Sequence, residues 1–370
     1  MADSSNDATT FNTEEDEPRE VQTGKEEAPA STLYPKIFKL ANVVFKIRSI
    51  SVNQSPSATI PLIGSTKLHG THADIVFESA TVHDFRLQSK NQLDLKAGKV
   101  DNAGFAAWVA SLGEDRRVML RLRDRFVERY QLLNPGRIVE GKVIIAAEWC
   151  GMGIQKKVAI NKAPRFMAVV SLFINGSWVP DWEYADIENA ENRIFNIGRV
   201  GYFRHDLRID EVGLTESESE IRRLTDEVER ECPFAKQVCG ESGLGEGIVW
   251  KAVKYCGDPT FWFKSKGDEL AVSHLSKLPA SAVDKENMER VSNFAKAIVT
   301  ENRMEQGWNL LGQKDIKSLG VFLKWVTEDC LVEEKLEMER LDISRTKLSP
   351  AITSIAKPWY LKQLATQHDR

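Results

Sequence analysis

Up to about Gly267 the apolar residues of this chain come in short runs closed off by glycine and asparagine; beyond it they recur every three or four positions. Side chains alternate across a strand but stack along one face of a helix about every 3.6 residues, so this change of period separates sheet-building from helix-building sequence. The chain is read as an α+β region followed by a smaller all-helical one, with the boundary near 267–270. Strand-like runs lie at 43–47, 59–63, 73–77 and 83–87, punctuated by Asn53, Gly64 and Gly70. A helix is expected over 114–133, with Val118, Leu122, Phe126 and Tyr130 on one face and Asn134-Pro135-Gly136 as its stop. Strands follow at 142–148 and 166–174, whose consecutive apolar residues suit burial on both faces. A second helix is expected over 216–231, capped by Thr215 and ended by Cys232-Pro233, then strands at 246–255 and 260–264. After 267, Val283, Val291, Ala295, Ile298 and Val299 mark one helical stripe, and Ile316, Leu319, Phe322, Trp325 and Val326 another.

The first 33 residues differ from all of this. They hold nine acids against two bases and almost no large apolar groups, and so cannot bury enough surface to offset their ordering entropy; a disordered acidic tail is expected. Since the chain carries −4 overall, the remainder is +3, a mildly basic body compatible with nucleic-acid binding and too weak to establish it. The five cysteines, Cys150, Cys232, Cys239, Cys256 and Cys330, have no metal-ligand spacing and read as free thiols. No apolar run is long enough to span a bilayer and no signal or transit segment is recognisable, so an intracellular protein in a reducing compartment, cytoplasm or nucleus, is expected, as a monomer.

Four short motifs stand at the ends of expected strands: Lys67-Leu68-His69-Gly70, Glu148-Trp149-Cys150-Gly151, Glu246-Gly247-Ile248-Val249 and Lys264-Ser265-Lys266. Such a set suits transfer of a nucleotide. A neutral lysine amine can attack a phosphorus and form a phosphoramide. Lys264, Lys266 and a divalent metal are expected to lower the basicity of Lys67 and to neutralise charge on the phosphates. Glu148 could hold a ribose hydroxyl, and Glu246 could help position the metal. Lys264 and Lys266 alternate on a strand and so share a face. Against this stand blander readings: a lone KxxG is common, Glu148 could serve a structural ion pair, and Phe166 and Phe173 are more often core. His69 and His72 could simply be hydrogen-bonded near a turn, and the arginines of 116–125 could line a solvated helix face.

The four motifs in this order resemble motifs I, III, IV and V of the covalent nucleotidyltransferases, which comprise ATP-dependent ligases and capping enzymes. His69, and Gly153-Ile154-Gln155-Lys156 after the third motif, resemble the RNA ligase 2-like family. The resemblance covers 67–266 and implies an ATP-grasp-like nucleotidyltransferase domain with antiparallel sheets over 34–267, then a helical domain over 268–370 that helps dock RNA. It implies an ATP-dependent RNA ligase using Mg2+ or Mn2+ and joining 3′-hydroxyl to 5′-phosphate RNA ends. Three steps follow: adenylylation of Lys67, AMP transfer to the 5′-phosphate, and attack by the 3′-hydroxyl. Thr66, Leu68, His69, Gly70, Glu148, Lys90 and Phe166 are then expected around the nucleotide. Thr71 and His72 are expected at the sealing step, Glu246 at metal and phosphate, and Lys264 with Lys266 on the α-phosphate.

Three positions depart from the family pattern. His72 stands where Asn is usual, Lys90 falls near the usual Arg, and the adenine-stacking Phe falls near Val169 or Val170, leaving Phe166, Phe173 or an aliphatic group to take its place. The rival readings are a pseudo-ligase that binds nucleotide or RNA without sealing, and a DNA ligase or capping-type transferase.

Overall fold

Short apolar runs in the first two-thirds of the chain assemble into two sheets, and the site lies where the chain passes from one to the other. The computed structural model describes residues 34–50, 59–90, 92–98, 101–113, 117–268 and 287–368. The expected acidic tail over 1–33 lies outside them, and the expected boundary near 267–270 falls where this description breaks off. The first sheet has strand order β10-β9-β1-β8, formed by β1 (Ile60–Lys67), β8 (Phe203–Leu207), β9 (Gly247–Ala252) and β10 (Trp262–Lys266), all antiparallel. The second has order β3-β2-β4-β5-β6, from β2 (Thr71–Phe77), β3 (Arg86–Ser89), β4 (Val143–Cys150), β5 (Phe166–Ile174) and β6 (Ser177–Trp178). β7 (Ile194–Asn196) adds a parallel pairing to β5.

Each sheet buries one face against helices. Beneath the second sheet, Ile75, Phe77 and Ile145 pack on α2 (Phe105–Ser111) and α3 (Arg117–Leu133) through Phe105, Val118, Leu122 and Phe126. Ile248, Trp250 and Phe263 of the first sheet pack on α1 (Leu40–Ile50) and α4 (Glu211–Arg230) through Val43, Ile47, Ile221 and Val228. The helical region comprises α5 (Asn287–Ile298), α6 (Glu301–Asn309), α7 (Leu319–Glu333), α8 (Lys335–Arg340) and α9 (Arg345–His368). Its core gathers Phe294, Trp308, Phe322, Val326, Leu348, Ile352 and Tyr360. The molecule is thus α+β with largely antiparallel sheets, followed by helices.

Two expectations are corrected. The run 43–47 is not a strand but the middle of α1: Val43, Val44 and Ile47 are buried while Phe45 is 63% exposed. A strand would place Val43, Phe45 and Ile47 on one face, whereas the observed burial follows a helical turn. The helix expected from 216 begins at Glu211, because Asp210 caps it by accepting a 2.9 Å hydrogen bond from the Gly213 N–H, so Thr215 lies inside.

Candidate active site

Lys67 closes β1, and Leu68, His69 and Gly70 carry the chain across to β2 of the other sheet. The turn therefore places the lysine at the end of an inner strand of one sheet and Glu148 near the end of β4, an inner strand of the next. Gly247 pairs in register with both Lys67 and Lys266. Its φ is +147°, and a Cβ there would sit 2.1 Å from the Ser265 carbonyl oxygen, so only glycine allows the three strand ends to close up. That closure delivers Glu246, buried, between the lysines. Its Oε2 lies 2.7 Å from Lys67 Nζ and 3.3 Å from His69 Nδ1, and its Oε1 lies 2.9 Å from Lys266 Nζ.

Burial alone would push the Glu246 carboxyl up, but Lys266, Lys67 and His69 together hold it well below the ordinary carboxylate range. Burial likewise works against a charged Lys67, and here Glu246 and Glu148 outweigh it, so the ammonium is held above the ordinary lysine value. Neighbouring lysines were expected to depress it; the carboxylate in contact decides the matter instead. Burial takes Lys266 below its ordinary value, with Glu246 opposing.

Glu148 stands opposite His72 across the β2–β4 pair. No described side chain hydrogen-bonds its carboxylate, whose pKa burial raises while Lys67 and His72 oppose. A Cβ on Gly70 would lie 3.0 Å from Glu148 Oε2 and 2.6 Å from both Cys150 Sγ and the Trp149 carbonyl oxygen, so Gly70 keeps the turn pressed onto β4. Gln155 donates to the Gly70 carbonyl oxygen at 3.3 Å and locks the turn from the far side.

These groups line a cavity of about 1080 Å3 that also includes Thr71, His72, Lys90 and Lys264. Its opposite wall comes from the helical region, through Asn302, Trp308, Lys314, Trp325, Trp359 and Lys362. Lys264 is paired there with Glu333 of α7. Lys90 lies 5.9 Å from the Trp325 ring, and burial lowers its pKa.

Three expected nucleotide contacts are not on this wall. Thr66 is 2% exposed on the strand face opposite to that of Lys67, as the alternation of a strand requires. Leu68 and Phe166 are in an apolar cluster with Cys150, where Phe166 stacks on Phe234 at 5.7 Å. Phe166 as an adenine platform is thus corrected: its strand turns that side chain into the core, and Phe173 packs against Trp178 instead. Sequence reasoning also missed Asn102, which accepts from the Thr71 hydroxyl at 2.9 Å and donates to the His72 carbonyl oxygen at 2.8 Å. Of the cavity's tryptophans, Trp325 was read as part of a helical stripe, and Trp308 and Trp359 were not singled out.

A family model described as RNA ligase matches residues 60–266, more than half of the chain and from the first strand to the last lysine of the site. The chain belongs to the RNA ligase family. No curated protein matches the chain. Among solved structures it is similar to Naegleria gruberi RNA ligase, in several variants. A lysine-to-methionine variant with AMP and Mn is 12% identical at a TM-score of 0.38, over 66% of this chain and 61% of that one. A lysine-to-alanine variant with ATP and Mn is 14% identical at a TM-score of 0.37, over 66% and 62%. A glutamate-to-alanine variant with ATP and Mn is 12% identical at a TM-score of 0.40, over 65% and 58%. The chain therefore spans about three-fifths of the length of the structures it matches.

Within the cavity, eight lysines face four acids, a local excess of positive charge in a chain that is −4 overall. That excess suits an anionic substrate. Among the described residues no group of three or more His, Cys, Asp or Glu side chains is arranged to hold a metal alone. Glu148 and Glu246 would offer a divalent ion one or two carboxylates, the rest of its shell coming from water and substrate phosphates. No helix among the described residues is long and apolar enough to cross a membrane.

Proposed function

We propose that this member of the RNA ligase family is an ATP-dependent RNA ligase that joins 3′-hydroxyl to 5′-phosphate RNA ends through adenylylation of Lys67. The observation that supports this most strongly is Glu246, one buried carboxylate shared by Lys67, His69 and Lys266 although Lys67 lies 179 residues away in sequence. A structural ion pair needs one partner. A carboxylate shared by two lysines and a histidine, beside a Glu148 that no described side chain hydrogen-bonds, is a site poised for phosphates and a sugar.

In the first step the Lys67 amine attacks the α-phosphorus of ATP. The N–P bond forms and the bond to pyrophosphate breaks. Lys67 must first shed the proton that pairing with Glu246 favours. Lys266 and Lys264 face the developing phosphate charge, and Glu148 accepts from a ribose hydroxyl. Glu246 would help hold a divalent ion, magnesium or manganese, which would supply further positive charge at the phosphates. AMP then passes to an RNA 5′-phosphate, and a 3′-hydroxyl displaces it. On this reading residues 34–267 form the adenylyltransferase domain and 268–370 a domain that presents RNA to it.

Incubation with α-labelled ATP and magnesium should leave label on the wild-type band in a denaturing gel and none on Lys67→Ala. Equal labelling of the two would rule out Lys67 as the nucleophile. Repeating with labelled GTP reads the base preference, and adding 5′-phosphorylated RNA or nicked DNA reads the acceptor.

A further inference from the structure

The loop that leaves β4 alternates the sign of φ from one residue to the next. Gly151, Gly153, Gln155 and Lys157 take φ of +113°, +83°, +56° and +69°, and Met152, Ile154 and Lys156 between them take no positive value. For Gln155 and Lys157 that conformation is unfavourable, because the Cβ crowds the following carbonyl oxygen. Alternating hand turns successive N–H groups toward one concave side, a shape that takes an anion. Among the described residues none accepts a hydrogen bond from the N–H of Gln155, Lys156, Lys157 or Val158. Residues 153–157 all line the cavity, and Gln155 ties the loop to the Lys67 turn.

An unpaired cation comes from the other wall. Lys314 lines the same cavity 5.5 Å from the Trp308 ring, and neither it nor Lys156 has a carboxylate partner among the described residues. Lys157 differs, reaching Glu305 of α6 at 3.9 Å. Burial first, and then the charge of Lys156, take Lys314 below its ordinary value, so the two ammonium groups approach each other from opposite walls. Folding thus brings like charges together, and an anion between them would offset their repulsion.

Taking the ligase reading above as its basis, we propose that this loop and Lys314 hold one phosphate of an unpaired RNA strand. The loop amides and Lys156 donate to its oxygens from one side, and Lys314 donates from the other. Trp308 beside Lys314 suits a strand in which flat bases alternate with phosphates. The phosphates of ATP, on the same reading, lie with Lys67, Lys264 and Lys266. The loop therefore binds the strand to be joined, next to the turn that carries the nucleophile.

The test uses the full chain and a short 5′-phosphorylated, unpaired oligoribonucleotide, with binding followed by fluorescence anisotropy at several salt concentrations. Lys156→Ala and Lys314→Ala should each weaken binding, and the double variant should weaken it about tenfold. Because both lysines serve one phosphate, the double variant should reduce the salt dependence by about one counterion. A loss of about two counterions would place the lysines on separate phosphates and overturn the shared site. A second pair of variants separates backbone from charge. Lys157→Gly and Lys157→Val both remove the ammonium, but only the branched residue resists a positive φ. Lys157→Val should therefore bind RNA more weakly than Lys157→Gly, and equal affinities would overturn the role of the amides. Should Lys157→Val fail to fold, the Lys156 and Lys314 variants decide alone. Labelling of Lys67 by ATP should persist in Lys156→Ala and Lys314→Ala. Lost labelling with RNA affinity intact would assign the cations to the outer phosphates of ATP and overturn the proposal. Wild type that labels Lys67 while every variant binds RNA as it does sinks the phosphate site and spares the ligase reading; wild type that neither labels nor binds RNA sinks both.

Discussion

Lys67 is stored as a cation by the carboxylate that must later release it. Its pKa lies above the ordinary lysine value, and the nucleophile is the deprotonated form. The sign is therefore fixed: the rate of lysyl-AMP formation should climb as pH rises from about 6 to about 9, with no plateau below the ordinary lysine value of about 10.4. Rapid-quench labelling across that range checks it, and a flat profile would mean that chemistry does not limit the step. Glu148 carries a separate prediction. A hydrogen bond to a charged acceptor contributes about 1.5–3 kcal/mol, so Glu148→Gln should raise KM for ATP roughly tenfold or more. If the bond is to the ribose, the same substitution should hardly change KM for the matching deoxy-ATP. Equal losses with both nucleotides would remove Glu148 from the sugar.

α7 presents Trp325, Asp329 and Glu333 four residues apart, on one face, to Lys90, Lys36 and Lys264. Behind that face Arg303, with no exposed surface, donates to Glu333 at 2.8 Å and to Glu334 at 3.4 Å, and Glu334 also takes Lys39 at 2.6 Å. Removing one member leaves buried charge uncompensated, at about 3 kcal/mol or more, so Glu334→Gln should lower unfolding free energy by that amount in a denaturant titration. Burial alone would raise the Glu333 carboxyl, but Lys264 and Arg303 hold it below its ordinary value. A depressed folded-state pKa adds stability above the unfolded value, about 4.3, and loses it as pH falls further. Wild-type Tm should therefore drop between about pH 5 and pH 3, and Glu333→Gln should flatten that drop; parallel curves would place the acid sensitivity elsewhere.

None of these ion pairs was legible in the sequence, since Lys264 and Glu333 are 69 residues apart and meet only once the helices dock. β5 was legible to the residue because nine consecutive mostly apolar positions admit little else. Residues 43–47 misled because so short an apolar run has no period of its own. The four motifs pointed to residues that line one cavity, whereas the burial of Phe166 depended on how β5 meets Phe234, which no spacing records.

At the scale of the whole molecule, the sheets supply one wall of the cavity and the helical region the other. Lys314 and Lys362 sit on the helical wall beside Trp308 and Trp359, a mixture of cations and flat rings suited to unpaired RNA. Each lysine withdrawn from an RNA phosphate reduces the salt dependence of binding by about one counterion. Lys314→Glu with Lys362→Glu should therefore weaken RNA binding, reduce its dependence on salt by about two counterions, and leave labelling of Lys67 by ATP in place. Unchanged RNA affinity would assign that wall to something other than RNA. The account rests most directly on where AMP becomes attached. Peptide mapping of the full chain after incubation with ATP and magnesium, without RNA, should find one adenylylated residue, Lys67. AMP on another residue, or on none, would contradict it.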